Sequence, residues 1–265
     1  CIRDSYMTAA FWVEQMGAKR IVAAREMSLE ELREMKKVLP PDTEIEAFVH
    51  GAMCMSYSGR CLLSNFMVGR DANRGSCTHP CRWKYSLVEE KRPGEYYPVE
   101  EDNRGSYIMN SRDLCMLDKL PDLIDAGISS LKIEGRMKSP FYVATVVSAY
   151  RAALDEYLED PDNYKFQEKW YKELCKASHR EFYHGFYYSK PDSSGQNYSS
   201  SDYTREYSFI GVVRGYEPDS GLTIVEQRNK FCVGEDIEVF GPRTDYTDEI
   251  VREMYDGNNN PIESA

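Results

Sequence analysis

No apolar run in this 265-residue chain approaches the roughly 20 residues that a membrane-spanning helix needs. No basic-then-apolar leader opens it, so neither a membrane span nor export is expected. Basic residues are in deficit, with Lys+Arg 33 against Asp+Glu 44 and a net charge of −11. That disfavours a general nucleic-acid binder with a basic face, yet leaves room for a local basic cleft. Histidine is scarce, at four residues, and neither an H-E-x-x-H nor a G-x-S-x-G motif occurs. Eight cysteines without a leader argue against a disulfide framework and for reduced thiols in a cytoplasmic protein. The chain begins at Cys1 in a helix-like pattern and stops in DGNNNPIESA, so it reads as an internal fragment of a longer protein.

What the sequence does hold is a dense group of cysteines. Cys54, Cys61, Cys77 and Cys81 fall in EAFVHGAMCMSYSGRCLLSNFMVGRDANRGSCTHPCRWKY, spaced C-x6-C-x15-C-x3-C. Cys115 follows in NSRDLC as a fifth candidate. Soft thiolates at this density point to iron–sulfur or zinc. Zinc sites favour tight C-x2–4-C pairs at both ends, and only Cys77–Cys81 has that spacing. Cys175 and Cys232 read as packing residues.

Around this segment the periodicities alternate. Residues 6–17 have helical spacing and end at Gly17, and Ile21–Ala24 is a short apolar strand. Ser28-Leu29-Glu30-Glu31 is a capping box that opens a helix to about Val38. Glu46–His50 is a second strand. Residues 52–110 are too long for an ordinary connection and read as a functional insertion. Within them, Tyr96–Met109 suggests a hairpin. Asn110 or Ser111 is expected to cap a helix divided by Pro121 and ended by Gly127. Ser130–Ile133 is a third strand, and Ser139-Pro140 opens a helix to about Leu158. This order predicts an α/β fold with parallel strands under helices. Residues 193–206 are a polar linker. Residues 207–265 read as a small β-module, with strands at Tyr207–Arg214, Leu222–Gln227 and Asp236–Phe240.

The strands end in polar groups: Arg25 and Glu26, His50 and Gly51, then Glu134-Gly135-Arg136. His50 is either a substrate contact or proton carrier, or a hydrogen-bonded histidine beneath the cysteine loop. His50 and Glu134 are the catalytic candidates. Lys132, Glu134 and Arg136 would share one face if the strand alternation continued. With Arg25 they are either a structural ion-pair ring or an anion-binding floor. Arg70, Arg74, Arg82, Lys84, Lys91 and Arg92, interleaved with Trp83 and Tyr85, suit single-stranded RNA or form a solvated surface.

These motifs together resemble the collagenase-like peptidase family U32, through EAFVHGAMCMSYSGRC, GRDANRGSCTHPCRWKY, RPGEY, NSRDLC and LKIEGRMKS, over roughly residues 19–150. VEQRNKFCVGEDIEVFGP is similar to the β-module that follows. The resemblance implies a TIM-like (β/α) barrel, present here in part over residues 1–192 with its N-terminal part missing, and a C-terminal β-barrel module over 207–265. It also implies a 4Fe-4S cluster, on Cys54, Cys61, Cys77 and Cys115 by spacing, with Cys81 the rival for a place. Members of the family are linked to hydroxylation of a tRNA wobble uridine with prephenate. That makes tRNA and a small carboxylated co-substrate the expected partners. Arg25, Glu26, His50, Lys132, Glu134 and Arg136 are the expected substrate contacts. The alternatives are a collagenase-like peptidase and a scaffold whose cluster, or zinc, is structural.

Overall fold

The structure, a computed structural model, describes residues 5–54, 56–83, 86–87, 91, 94, 97–98, 111–190, 195, 207–241 and 244–265. The chain divides into two compact units, Cys1–Thr204 and Arg205–Ala265.

The first unit opens with α1 (Tyr6–Met16). Gly17, at φ 66°, ends it in the left-handed conformation that glycine adopts at least cost. After β1 (Arg20–Val22) comes α2 (Leu29–Val38). Its capping box closes as expected: Ser28 Oγ accepts from the Glu31 N–H at 3.2 Å, and Glu31 Oε2 accepts from the Ser28 N–H at 2.8 Å. The helix buries Leu29, Leu32 and Met35 on one stripe and leaves its charged residues outside.

β2 (Glu44–Ala52) is the central strand. The segment beyond it contains α3 (Leu63–Val68), 3-10 turns at Ala72–Arg74 and Pro80–Arg82, and β3 (Ser86–Leu87), which pairs antiparallel with β4 (Tyr97–Pro98). Most of the expected Tyr96–Met109 hairpin lies outside the described residues. β5 (Asp113–Cys115), α4 (Leu120–Asp125), β6 (Ser130–Ile133), α5 (Pro140–Glu159), α6 (Glu168–Lys176) and β7 (Phe182–Tyr183) complete the unit.

β1 and β6 both run parallel to β2, as the alternating order predicts. β5 does not. It pairs antiparallel with β2, His50 opposite Cys115 and Ala52 opposite Asp113, and β7 then pairs parallel with β5. The helix expected to start at Asn110 or Ser111 is therefore a strand first. All three residues of β5 are buried, and a buried backbone between two strands is satisfied by ladder bonds. The helix begins only at Leu120, so Pro121 lies in its first turn and does not divide it. α6 and β7 were not expected from the periodicity. The result is a mixed α/β sheet over one hydrophobic core built from β1, α2, β2, β5, α4, α5 and α6.

The second unit consists of two antiparallel pairs, β8 (Gly211–Glu217) with β9 (Leu222–Gln227) and β10 (Asp236–Gly241) with β11 (Thr244–Ile250). β8 begins four residues later than expected, and β11 was missed because TDYTDEI has no apolar alternation. The polar linker 193–206 falls outside the described residues apart from Gly195.

Gly51 shows how tightly the strand ends are packed. Its φ is 104°, and a Cβ there would lie 2.3 Å from the Glu134 carbonyl oxygen. Gly51→Ala should therefore cost about 3 kcal/mol or more, from overpacking and from strain at a positive φ. Gly59 also has a positive φ but nothing within 4 Å of a Cβ, so Gly59→Ala should cost only about 1–2 kcal/mol. Thermal or denaturant unfolding of the two variants checks this, and equal losses would contradict the packed contact.

Candidate functional site

The cysteine segment is fixed to the sheet by one buried ion pair. Arg82 Nη1 lies 2.9 Å from Asp113 Oδ1, with side chains only 4% and 2% exposed. Arg82 Nη2 donates to the Met53 carbonyl at 3.1 Å, and the Ser111 hydroxyl lies 3.5 Å away. The other carboxylate oxygen, Oδ2, accepts from the Arg180 N–H at 3.2 Å. Burial alone would raise the Asp113 pKa. Arg82, Lys138 and the Arg180 N–H overcome it and hold the carboxyl below its ordinary value. The pair joins the end of β2, the start of β5 and the turn that carries Cys81.

A second tie closes the segment on itself. The buried Ser64 hydroxyl on α3 accepts from the Thr78 N–H at 3.3 Å, and its oxygen lies 3.3 Å from Thr78 Oγ1. This brings the helix after Cys61 against the strand of chain after Cys77. His79 follows in a left-handed conformation, φ 54°, and its N–H donates to Cys77 Sγ at 3.2 Å. The Ser56 N–H points at Cys54 Sγ at 3.5 Å.

The structure thus gathers Cys54, Cys61, Cys77 and Cys81 within one another's electrostatic reach, all as free thiols. Burial pushes the Cys81 thiol up to about 11, and the neighbouring Cys54, Cys77 and Cys61 push further while Arg82 opposes them. Cys54 faces solvent on one side, yet the surrounding loop desolvates its sulfur and raises it, with Arg25 opposing. Sulfurs in this state resist carrying charge without a cation, and a bound metal supplies that cation. Among the described residues no three His, Cys, Asp or Glu side chains form a group tight enough for a single ion. A tetrahedral zinc would need its sulfurs about 3.8 Å apart, whereas a cluster distributes its thiolates over several irons. Four free thiols near one another are the donor type that either group uses.

Cys115, expected as a fourth ligand, stands apart. The β5 ladder opposite His50 buries it in the sheet, and its sulfur lies 4.0 Å from the Tyr150 hydroxyl. Burial drives its pKa to about 12, and the cysteine that influences it is Cys175. It lines a cavity of about 300 Å³ with Asp118, Phe166, Glu168, Tyr171, Phe182, Tyr183 and His184. The rival, Cys81, lies within electrostatic reach of Cys54, Cys61 and Cys77, on the Pro80–Arg82 turn that the Arg82 anchor holds.

His50 is not a surface group either. It is fully buried among Tyr142, Tyr150 and Phe182, at ring-centroid distances of 6.0, 5.5 and 5.3 Å. Its Nδ1 lies 3.5 Å from the Tyr150 hydroxyl. Burial lowers its pKa from 6.5 to about 3, so it is neutral and sealed from substrate. This corrects its candidacy as a catalytic residue and substrate contact.

The strand-end charges separate into pairs. The Arg25 guanidinium stacks 3.6 Å above the Phe48 ring, and its Nη2 lies 3.6 Å from Glu134 Oε2. Glu26 Oε1 accepts from the Ser58 N–H at 2.8 Å, and Oε2 is buried without a hydrogen-bond partner. Lys132 binds Glu46 at 2.9 Å, and Glu46 also holds Arg20 at 3.1 Å. The shared Lys132–Glu134–Arg136 face does not form. β6 ends at Ile133, so strand alternation does not extend to Glu134 or Arg136, and Lys132 is neutralised from β2. The Arg136 N–H donates to Glu134 Oε1 at 2.9 Å, and its guanidinium reaches over Gly75 in the cysteine segment. Sequence reasoning missed the Arg82–Asp113 pair. The signal was an aspartate in a buried strand, which needs a cation nearby.

A mixed α/β sheet thus carries a thiol-rich loop beyond its central strand. The chain belongs to peptidase family U32: the family's model matches residues 3–197, and the model of its C-terminal domain matches residues 205–265. It is 40% identical to tRNA hydroxylation protein P1 of Bacillus subtilis (strain 168), over 99% of this chain and 61% of that protein. It is 36% identical to tRNA hydroxylation protein P of Escherichia coli (strain K12), over 90% of this chain and 60% of that protein. A collagenase of Porphyromonas gingivalis (strain ATCC BAA-308 / W83) is 30% identical, over 88% of this chain and 58% of that protein. The chain spans about three fifths of the length of these curated relatives.

Asp113→Asn leaves Arg82 buried without its counter-charge, which should cost about 3–5 kcal/mol. The double variant Arg82→Met with Asp113→Leu should recover part of that loss in thermal melts. The buried neutral His50 sets a pH dependence of definite sign. Between pH 6.5 and about 3 the unfolded chain binds a proton at His50 that the folded chain does not. Its contribution is therefore complete above pH 6.5 and falls as pH drops, by up to about 1.4 kcal/mol per pH unit. His50→Gln should flatten stability between pH 6.5 and 5, and an unchanged slope would show that His50 is not buried as the neutral form.

Proposed function

We propose that this chain carries an iron–sulfur cluster of the 4Fe-4S type on Cys54, Cys61, Cys77 and Cys81 and acts in the hydroxylation of tRNA, at a wobble uridine. The observation that carries the proposal is the grouping of four thiols on one anchored loop, beside relatives whose names specify tRNA hydroxylation. The bound cluster would supply one-electron chemistry. The chain's own residues position and exclude. Arg82 and Asp113 hold the loop, Ser64 fixes its register, and Arg25 places a positive charge beside Cys54. Arg25 borders the loop from the end of β1, and its guanidinium is the group suited to a carboxylate of a prephenate-type co-substrate. We read the parallel β1–β2–β6 arrangement as part of a TIM-like barrel and the two C-terminal strand pairs as a β-barrel module. A cytoplasmic location agrees with the free thiols, and no helix among the described residues is long and apolar enough to cross a membrane.

The peptidase reading rests on the collagenase-named relative. A thiol nucleophile needs a depressed pKa and a neighbouring base. Cys54, Cys81 and Cys115 are all raised, and His50 is buried and neutral. Neither the thiols nor His50 therefore supports a thiol nucleophile with a neighbouring base.

The test is nucleoside mass spectrometry of tRNA from a strain lacking the protein. The intact gene should restore hydroxylated wobble uridine. Cys61→Ser and Cys81→Ser should each lower it by about tenfold or more, while Cys175→Ser leaves it unchanged. Full modification in the deletion strain would overturn the reading.

A further inference from the structure

The cysteine segment differs in charge from the rest of the molecule. The protein as a whole is acidic, at −11, yet residues 53–83 hold four arginines and a single carboxylate, Asp71. That carboxylate caps its own turn, accepting from the Asn73 N–H at 2.9 Å. Arg82 is consumed by the buried pair with Asp113, so it is not part of any surface. Arg60, Arg70 and Arg74 are exposed and, among the described residues, have neither an ion pair nor a side-chain hydrogen bond. Arg136 is in the same state, and its guanidinium hangs over Gly75 of the same segment. Elsewhere on the first unit some exposed cations, such as Arg20, Lys37 and Arg151, find carboxylates, and others, such as Arg33, find none among the described residues. An acidic protein that leaves four guanidiniums unpaired around one loop concentrates positive potential there.

The same loop exposes flat and apolar side chains. Phe66 is 84% exposed, Leu62 71% and Tyr57 68%, and Trp83 is half-exposed at the end of the Pro80–Arg82 turn. Phe66 and Leu62 are not in the first unit's core, and the Ser64–Thr78 tie turns them outward by burying the opposite side of α3. Apolar rings exposed alone would suit many partners. Rings set among unpaired guanidiniums suit a polyanion with unstacked bases: the phosphates meet arginine, and the bases stack on Phe66, Tyr57 or Trp83. The set differs from the one that sequence proximity suggests. Arg82 is withdrawn, Lys84, Tyr85 and Arg92 lie outside the described residues, and Arg60, Arg136, Tyr57 and Phe66 are added.

We propose that the outer surface of the cysteine loop, formed by Arg60, Arg70, Arg74, Arg136, Tyr57 and Phe66, is the binding surface for a single-stranded RNA loop. It presents that loop directly over the thiol group. This rests on the tRNA reading above and adds where the RNA is held. Phosphate contact is assigned to the arginines and base stacking to the rings, and the two are separable because only the first is strongly salt-dependent.

The experiment measures binding of a labelled anticodon stem-loop to the cluster-loaded holoprotein by fluorescence anisotropy across a salt series. Iron content is checked for every variant. Arg70→Ala with Arg74→Ala should weaken binding at least about tenfold and lower the salt slope by about 0.7 per arginine. Phe66→Ala should weaken it about fivefold or more with the salt slope unchanged. Arg33→Ala, an exposed arginine on α2, should change neither. All of these side chains are exposed, so the fold and iron content should survive. If the wild-type protein binds the stem-loop and these variants bind equally well, the surface is wrong while the tRNA reading stands. If the wild-type protein does not bind the stem-loop even at low salt, surface and tRNA reading fall together. Capture of gelatin peptides through Phe66, with no competition from RNA, would assign the surface to a protein substrate and overturn the proposal.

Discussion

The buried ion pair between Arg82 and Asp113 is the constraint on which the thiol loop depends. The loop has little core of its own, since α3 buries only Ser64. Its place is set by polar contacts. A buried pair is stable only when the remaining donors and acceptors are also satisfied. Here the Met53 carbonyl, the Ser111 hydroxyl and the Arg180 N–H complete the set, and each belongs to a different part of the sheet. One guanidinium therefore locks three stretches of chain together, and Cys81 is its immediate neighbour in sequence. The antiparallel pairing of β5 with β2 follows from the same requirement, because it sets Asp113 opposite Ala52, at the end of β2 where the loop departs.

The electrostatics around the loop form two shells of opposite need. Inside, thiols crowd one another and burial raises Cys54 and Cys81, so the group calls for a cation. Outside, arginines stand without carboxylates and call for an anion. A cluster held within and an RNA loop held without would satisfy both. Arg25 and Glu134 pair at the strand ends, and the Arg25 N–H lies 3.5 Å from Ser58 Oγ of the loop. His50, just beneath, contributes packing and a neutral ring rather than a proton.

Features with local causes were legible in the sequence. The Ser28 capping box, the Gly17 helix end and the Ser139-Pro140 helix start depend on neighbouring residues alone, and each appears where its motif stands. The cysteine segment was also legible as a unit. What failed depended on non-local pairing. Asn110-Ser111 looked like a helix cap because nothing local shows that β2 and β7 flank the next three residues. The spacing of Cys115 likewise does not show that its sulfur lies 4.0 Å from the Tyr150 hydroxyl on α5. Lys132 was assigned to a shared pocket because Glu46, its partner, lies 86 residues away. β11 escaped because a strand rich in aspartate and threonine, with Thr247 to Ile250 all exposed, has no apolar period.

The central claim is that Cys81, and not Cys115, completes the thiol group held by the Arg82 anchor. Its most direct test is the iron and sulfide content of anaerobically purified Cys81→Ser and Cys115→Ser, read beside their visible spectra. The account predicts that Cys81→Ser loses most of its iron and colour, while Cys115→Ser keeps the wild-type content and spectrum. Retention of the cluster by Cys81→Ser with its loss from Cys115→Ser would contradict it.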